Sequence, residues 1–279
     1  NYHSFALEMF ALPLILAAKL EGANRPAEIV AWLQENLGAD RTAKLRRMFQ
    51  VSRDLIQPNN RIPLIGDIDN GRFLYLETPG HHECDWRFLC CLGAALFADD
   101  ALWPADYSAA ELSTAQCLLQ EPTLRRQPQP SVPASSAFPN AGFYVMKTES
   151  VYSAIFAGPI GTDGGGGHAH DDKLSFTFSL GQHDFIVDPG IYVYTASKHY
   201  RDIYRSVEVH NTVCIDGEPQ NRPLADSPWW GCHEDTKCEV LDWSATAGGA
   251  AFEAQHHGYE RLETPVIHRR KIDLDEAQR

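Results

Sequence analysis

The sequence has no CxxC pair, no internal repeat, no phosphate-binding glycine loop and no excess of basic residues. Each absence removes a class of function. Without a CxxC pair there is no thiolate zinc ribbon. The seven cysteines are odd in number and include the neighbours Cys90 and Cys91, so they do not read as a disulfide framework. Cys84, Cys90 and Cys91 sit in an apolar, helical context and are expected as buried thiols. Gly164–Gly167 is followed by no Lys-Ser/Thr and by strand-like sequence, which argues against a P-loop. A formal net charge of −13 argues against nucleic acid as a partner. It also counts against an acidic substrate unless basic groups gather around a cleft. The longest apolar stretch, Met9–Ala18, is about half of what a bilayer span needs, so no membrane span is expected. There is no initiating Met and no signal pattern, and the last residues, Asp273–Arg279, are a polar run. Both ends read as cuts from something longer, so a missing targeting signal means little.

What is present divides into two parts. At 279 residues and 44% hydrophobic the chain can bury a large core. Its first part reads as helices. Phe5–Leu20 is apolar nearly all round, with Gly22 as a stop and Pro13 predicting a kink or early end. Pro26 opens a second helix carrying Ile29, Val30, Leu33 and Leu37, closed by Gly38. Asp40 is the expected cap of a third, with Leu45, Met48, Phe49 and Leu55 on its apolar side. A fourth covers about Asp85–Phe97, and Ser108-x-x-Glu111 is a capping box that opens a fifth through Leu119. Short loops between them predict antiparallel neighbours.

From Glu121 to Pro139, prolines with Gln, Ser and Arg read as an extended linker. Beyond it the period becomes two. Phe143–Thr148, Val151–Ala157, Leu174–Leu180, Phe185–Asp188, Ile191–Thr195 and Thr212–Ile215 are strand-like, as are segments near Cys238–Trp243, Ala251–His256 and Val266–Leu274. Helices first and strands second predict segregated α and β parts, an α+β multidomain chain.

Residues 164–220 carry the densest chemistry: Gly-Gly-Gly-Gly-His168-Ala-His170, then Val187-Asp188-Pro-Gly, Tyr204-Arg205-Ser and Val209-His210-Asn-Thr-Val. If His168 and His170 lie in a strand, they project from one face roughly 7 Å apart. Asp188 and His210 each follow at a distance that allows a hairpin or similar excursion to bring them back. Two imidazoles and one carboxylate are a common zinc set with a further position for water. The same spacing also accommodates surface histidines and a turn Asp before Pro-Gly. The four glycines fit a tight turn, or a close approach of backbone to a ligand, just before His168.

Taken in order, Gly-Gly-His-Ala-His-Asp-Asp-Lys-Leu-Ser-Phe, Asp-Phe-Ile-Val-Asp-Pro-Gly, Tyr-Arg-Ser and Val-His-Asn-Thr-Val resemble the heparinase II/III-like polysaccharide lyases. Ile65-Gly-Asp-Ile-Asp-Asn-Gly-Arg72 resembles that family's Gly-Asp-rich loop late in its helical toroid, and Asn1-Tyr2-His3-Ser4 before an apolar helix resembles its catalytic-tyrosine helix. The resemblance implies an incomplete (α/α) toroid followed by an antiparallel β-sandwich. That division is residues 1–120 as the C-terminal part of the toroid, 121–140 as a Pro-rich linker, and 141–279 as a sandwich truncated at its C-terminus. It implies β-eliminative cleavage of an acidic, uronate-containing polysaccharide, in the periplasm or outside the cell. Its metal ligands fall on His170, Asp188 and His210, holding a structural zinc ion. His168 becomes the catalytic histidine and Tyr2 the catalytic tyrosine. The carboxylate-neutralising Asn or Asn-His group is expected upstream of Tyr2.

Elimination requires a base for the C5 hydrogen, an acid for the leaving oxygen, and neutralisation of the uronate carboxylate. Tyr2 serves as the acid, or as base and acid in turn, with His168 as partner base or carboxylate contact. His3, Tyr204 and Arg205 are candidate substrate contacts, each with an ordinary packing role as the alternative. Trp229-Trp230 offers sugar stacking or a buried pair. His81, His82, His256 and His257 match no motif and are expected to be solvated. Two further functions compete: a zinc-dependent glycan hydrolase using metal-bound water, and a non-catalytic carbohydrate-binding protein.

Overall fold

The computed structural model describes residues 2–68, 71–74, 84–124, 134–161, 164–246 and 248–275. The chain divides into two compact units, one of residues 2–62 and 69–131, the other of residues 63–68 and 132–279.

The first unit is helical: α1 (His3–Leu20), α2 (Pro26–Leu37), α3 (Ala39–Leu55), α4 (Arg87–Phe97) and α5 (Ala109–Leu119). Apolar residues at 3–4 spacing make each buried stripe, Ile29 and Leu33 on α2, and Leu45, Phe49 and Leu55 on α3. α4 is buried from Phe88 to Ala94. A Cβ on Gly93 would stand 2.5 Å from the Phe49 ring, so glycine is what lets α3 and α4 approach there. The capping box at Ser108 forms, with Ser108 N–H donating to Glu111 Oε2 at 2.5 Å and Ala110 N–H to Ser108 Oγ at 3.2 Å.

Three helix expectations are corrected. α1 continues past Pro13 to Leu20 rather than ending early, with Pro13 on the exposed side of the helix. α3 begins one residue before Asp40, from Gly38, so Asp40 lies in its first turn. α1 has the length and apolarity of a membrane span, counter to the expected absence of such a run. Leu7, Ala11, Leu12, Ile15 and Ala18 are nevertheless buried among its neighbours, as in the core helix of a bundle.

The second unit holds two antiparallel sheets. The first is a meander of β1 (Ser136–Phe138), β2 (Phe143–Lys147), β3 (Val151–Phe156), β4 (Phe178–Leu180) and β5 (His183–Ile186). The second is β6 (Glu239–Thr246), β7 (Gly249–Tyr259) and β8 (Val266–Asp275), in that order. Their apolar faces share one core of Tyr144, Met146, Ile155 and Leu174 from one side and Ala250, Phe252 and Ala254 from the other. β7 alternates buried and half-buried residues along most of its length, as the period of two requires.

Several expected strands are not strands. Leu174–Leu180 pairs regularly only from Phe178, and residues 191–195 and 212–215 form loops. In the second loop, side chains replace the ladder. Arg270 Nη1 donates to Asn211 O at 2.7 Å, the Tyr259 hydroxyl donates to Val213 O at 2.9 Å, and Thr212 Oγ1 donates to Lys173 O at 2.6 Å. A helix within the β part, α6 (Lys198–Arg205), went unpredicted because its polar run carries only one aliphatic residue, Ile203.

Candidate active site

His168 and His170 do not lie in a strand. They sit in a loop, and His168 adopts a left-handed backbone at φ 61°. The loop passes close to the Cys232 backbone at one point: a Cβ on Gly166 would meet Cys232 N at 2.5 Å, so glycine is required there. The two rings nevertheless converge, and what they converge on is Asp67.

Asp67 is fully buried. His168 Nδ1 lies 3.0 Å from its Oδ2 and His170 Nε2 lies 2.8 Å from its Oδ1. Arg201, also fully buried on α6, donates Nη1 to Oδ1 at 2.9 Å and Nη2 to Oδ2 at 2.7 Å. The main chain of residue 67 is tied as well, its N–H to His168 O at 3.1 Å and its O to the Tyr194 hydroxyl at 2.9 Å. Burial alone would raise the Asp67 carboxyl, but hydrogen bonds from His170 and Arg201 hold it far below the usual range. It is a carboxylate, so both imidazoles present N–H groups to it. With Nδ1 on Asp67, His168 keeps its other ring nitrogen, Nε2, on a side chain that is 32% exposed. The Trp230 ring stands 4.9 Å from the His168 ring between centroids, and the Arg201 guanidinium lies 4.2 Å from the Trp230 ring centroid.

Behind this lies a second pair. His210 Nδ1 is 2.9 Å from Asp188 Oδ2, and Asp188 Oδ1 accepts Gly190 N–H at 3.0 Å. The His170 and His210 rings are 5.2 Å apart between centroids. His170 Nδ1 and His210 Nε2 are both buried without a hydrogen-bond partner, as are Asp172 Oδ1 and Lys173 Nζ. Two buried imidazole nitrogens left unsatisfied fit a metal ion as their partner. Among the described residues, however, no three His, Cys, Asp or Glu side chains already stand in a metal-holding arrangement. Asp188 is turned to the back of His210, the position of a carboxylate that orients a ligating imidazole.

A sequence profile described as Heparinase II/III-like, C-terminal, matches residues 130–278, more than half of the chain. The chain belongs to the heparinase II/III-like family. No curated protein matches it. Among solved structures it is similar to a heparan sulfate lyase, HepC, from Pedobacter heparinus, with a TM-score of 0.56 and 16% identity over 95% of this chain and 35% of that one. It is similar to a heparinase III, the BT4657 gene product, at TM-score 0.58 and 16% identity over 95% of this chain and 36% of that one. A further heparinase III structure gives TM-score 0.58 and 16% identity over 90% and 36%. The chain thus spans a little over a third of the length of these structures, and at such identity the likeness is one of fold.

Within this heparinase II/III-like chain the other expected residues fall as follows. Tyr2 caps α1 in the helical unit and is 38% exposed. His3 is turned into that unit, Nε2 lying 3.0 Å from Met48 O and 3.1 Å from Ser52 Oγ. Burial pushes His3 down to about 4. Tyr204 stacks on Tyr192 at 5.7 Å. Arg205 donates Nε to Ala169 O at 3.2 Å and Nη1 to Trp229 O at 2.7 Å, and it lines a 250 Å³ cavity with His170 and Asn221. His256, expected to be solvated, is wholly buried between β-strands, and His81 and His82 lie outside the described residues. The sequence reading placed Asp67 in a resembling loop without a role and missed Arg201. An acid between Ile65 and Ile68 was the available signal for Asp67. Arg201 and Arg205, four apart, become a pair only once α6 is known.

Proposed function

We propose that this protein is a polysaccharide lyase that cleaves a uronate-containing polysaccharide by β-elimination. Family membership supports the reaction class. The observation that carries the site is His168, whose Nδ1 is held on a buried carboxylate while its ring stays part-exposed. An imidazole so held acts as a general base toward the C5 hydrogen, or donates to the uronate carboxylate when protonated. Tyr2 is the proposed acid for the leaving glycosidic oxygen. A tyrosine hydroxyl takes the base role only with positive charge beside it. Arg205 and Tyr204 are the proposed contacts to acidic sugar, and His3, fixed to Met48 O, is the weaker member of that set. The five helices are proposed as part of an (α/α) toroid, whose upstream portion supplies the carboxylate-neutralising group.

Zinc is proposed on His170 and His210, with Asp188 as third ligand after a turn of its side chain or as the carboxylate behind His210. When bound it supplies a positive charge that cross-links the loops bearing residues 170, 188 and 210. The reaction itself is assigned to the side chains.

The test is formation of an ultraviolet-absorbing unsaturated uronate from a panel of acidic polysaccharides, with heparan sulfate first. Tyr2→Phe and His168→Ala should each abolish it. Reducing ends released without that absorbance would replace the lyase reading with hydrolysis. Binding unchanged in both variants, with no turnover by any of them, would replace it with a carbohydrate-binding role.

A further inference from the structure

We infer that Asp67 is a positioning residue that fixes the tautomers of two histidines at once, and so couples the outward-facing imidazole of His168 to the inward-facing imidazole of His170. The inference rests, for its catalytic consequence only, on the lyase reading above. Its structural content does not.

The argument is one of proton counting. Asp67 has two oxygens and four side-chain donors around them, two from Arg201 and one from each histidine. Since the carboxylate only accepts, His168 carries its proton on Nδ1 and His170 carries its proton on Nε2. The two rings are therefore set in opposite tautomers by one group. In His168 the lone pair is on Nε2, on the part-exposed ring. In His170 it is on Nδ1, the buried nitrogen with no hydrogen-bond partner. A carboxylate that served only to neutralise Arg201 would need no histidine on either oxygen. Arg201 fills a supporting role: its fork takes one position on each oxygen, leaving one further acceptor site per oxygen for each ring. Nε of the same guanidinium is anchored on Trp229 O at 2.9 Å, so the fork cannot rotate away. The φ of 61° at His168 has a place in this scheme, because the loop must turn sharply to bring residues 168 and 170 to the same carboxylate.

The experiment uses the full chain labelled with ¹⁵N-histidine, reading tautomers from nitrogen chemical shifts and ring couplings, beside turnover and metal content. In the unsubstituted protein His168 should be the Nδ1–H form and His170 the Nε2–H form. Asp67→Asn should lose at least one of these, since an amide offers one acceptor where two are needed. It should also lower kcat on the order of 10²-fold with KM changed by less than about 3-fold, as removal of a group orienting a functional imidazole does. Arg201→Lys keeps the charge and should keep both tautomers. Either histidine found in the other tautomer in the unsubstituted protein overturns the inference, and that spectrum does not depend on any variant folding. Both tautomers retained in Asp67→Asn would overturn it as well. Tautomers as stated, with no unsaturated product from any substrate, would sink the lyase reading and leave the positioning role standing.

Discussion

Two pairs of histidines in the β unit, His168 with His170 and His256 with His268, are held in opposite ways. His168 and His170 meet a carboxylate backed by a guanidinium. His256 and His268 meet each other across β7 and β8, with Nε2 of the first 3.0 Å from Nδ1 of the second and no carboxylate between them. Gly258 N–H donates to His256 Nδ1 at 3.2 Å, so that ring has no place for a second proton without facing a donor. Burial first, then the positive charge of neighbouring Arg270, pushes His268 down to about 4. Burial, His268 and Lys173 push His256 down to about 3. Carboxylate-backed imidazoles are set up to exchange or share charge. The cross-strand pair is kept neutral and serves as polar packing.

The largest way to break that contrast is to remove the carboxylate. Asp67→Ala would leave Arg201 fully buried without its counter-ion, and should destabilise the protein by about 3–5 kcal/mol in chemical denaturation. A loss below about 1 kcal/mol would mean that water or a rearranged side chain already serves the guanidinium. Next comes His168→Ala, which separates function from stability. The ring is part-exposed, so stability should move by less than about 1 kcal/mol, while turnover falls by about 10²–10⁴-fold. Comparable losses in both would make His168 a packing residue.

How far these pairs could be read from sequence follows from the same physics. The period-two pattern of β2, β3, β7 and β8 and the 3–4 spacing of the helices gave the α-then-β order because each reflects a face buried against a partner. The His-x-His motif was legible as a functional cluster, but its geometry was not. The strand argument put both rings on one face through alternation, whereas a left-handed turn at His168 and the close glycine passage bring them together instead. Asp67 lies a hundred residues away in sequence, and only tertiary contact reveals its partners. His256 read as solvated because a histidine in an alternating strand does not declare which face is covered. Its neighbours on β8 and at Gln220 decide that.

Acid should test the neutral pair. Both rings have folded values depressed below the ordinary 6.5, so the native state resists protons that the unfolded chain accepts. Their contribution is fully present above pH 6.5 and is lost as pH falls through about 4 and then about 3. Stability should therefore decline from pH 6.5 to pH 4, measured as a falling denaturation midpoint. Asp171 works the other way in part of this window. Burial pushes it up to about 6 despite two hydrogen bonds from Asn221, so its native carboxyl takes up a proton early. The histidine contribution is thus the difference between the unsubstituted protein and a variant lacking one ring.

His268→Gln is that variant, and the effect expected at neutral pH is the smallest of the set. A glutamine carbonyl can accept the His256 Nε2–H that His268 Nδ1 accepts now, so no buried donor is orphaned, and the change should stay within about 1 kcal/mol. What should change is the slope. With two depressed rings, unfolding takes up as many as two protons near pH 5, and with one ring it takes up about one. The dependence of unfolding free energy on pH should flatten accordingly. The same slope in both proteins would mean that His268 is already protonated in the native state. A proton there would turn Nδ1 from acceptor into donor against His256, and the pair would no longer be the neutral cross-strand packing that sets it apart from the carboxylate-backed imidazoles.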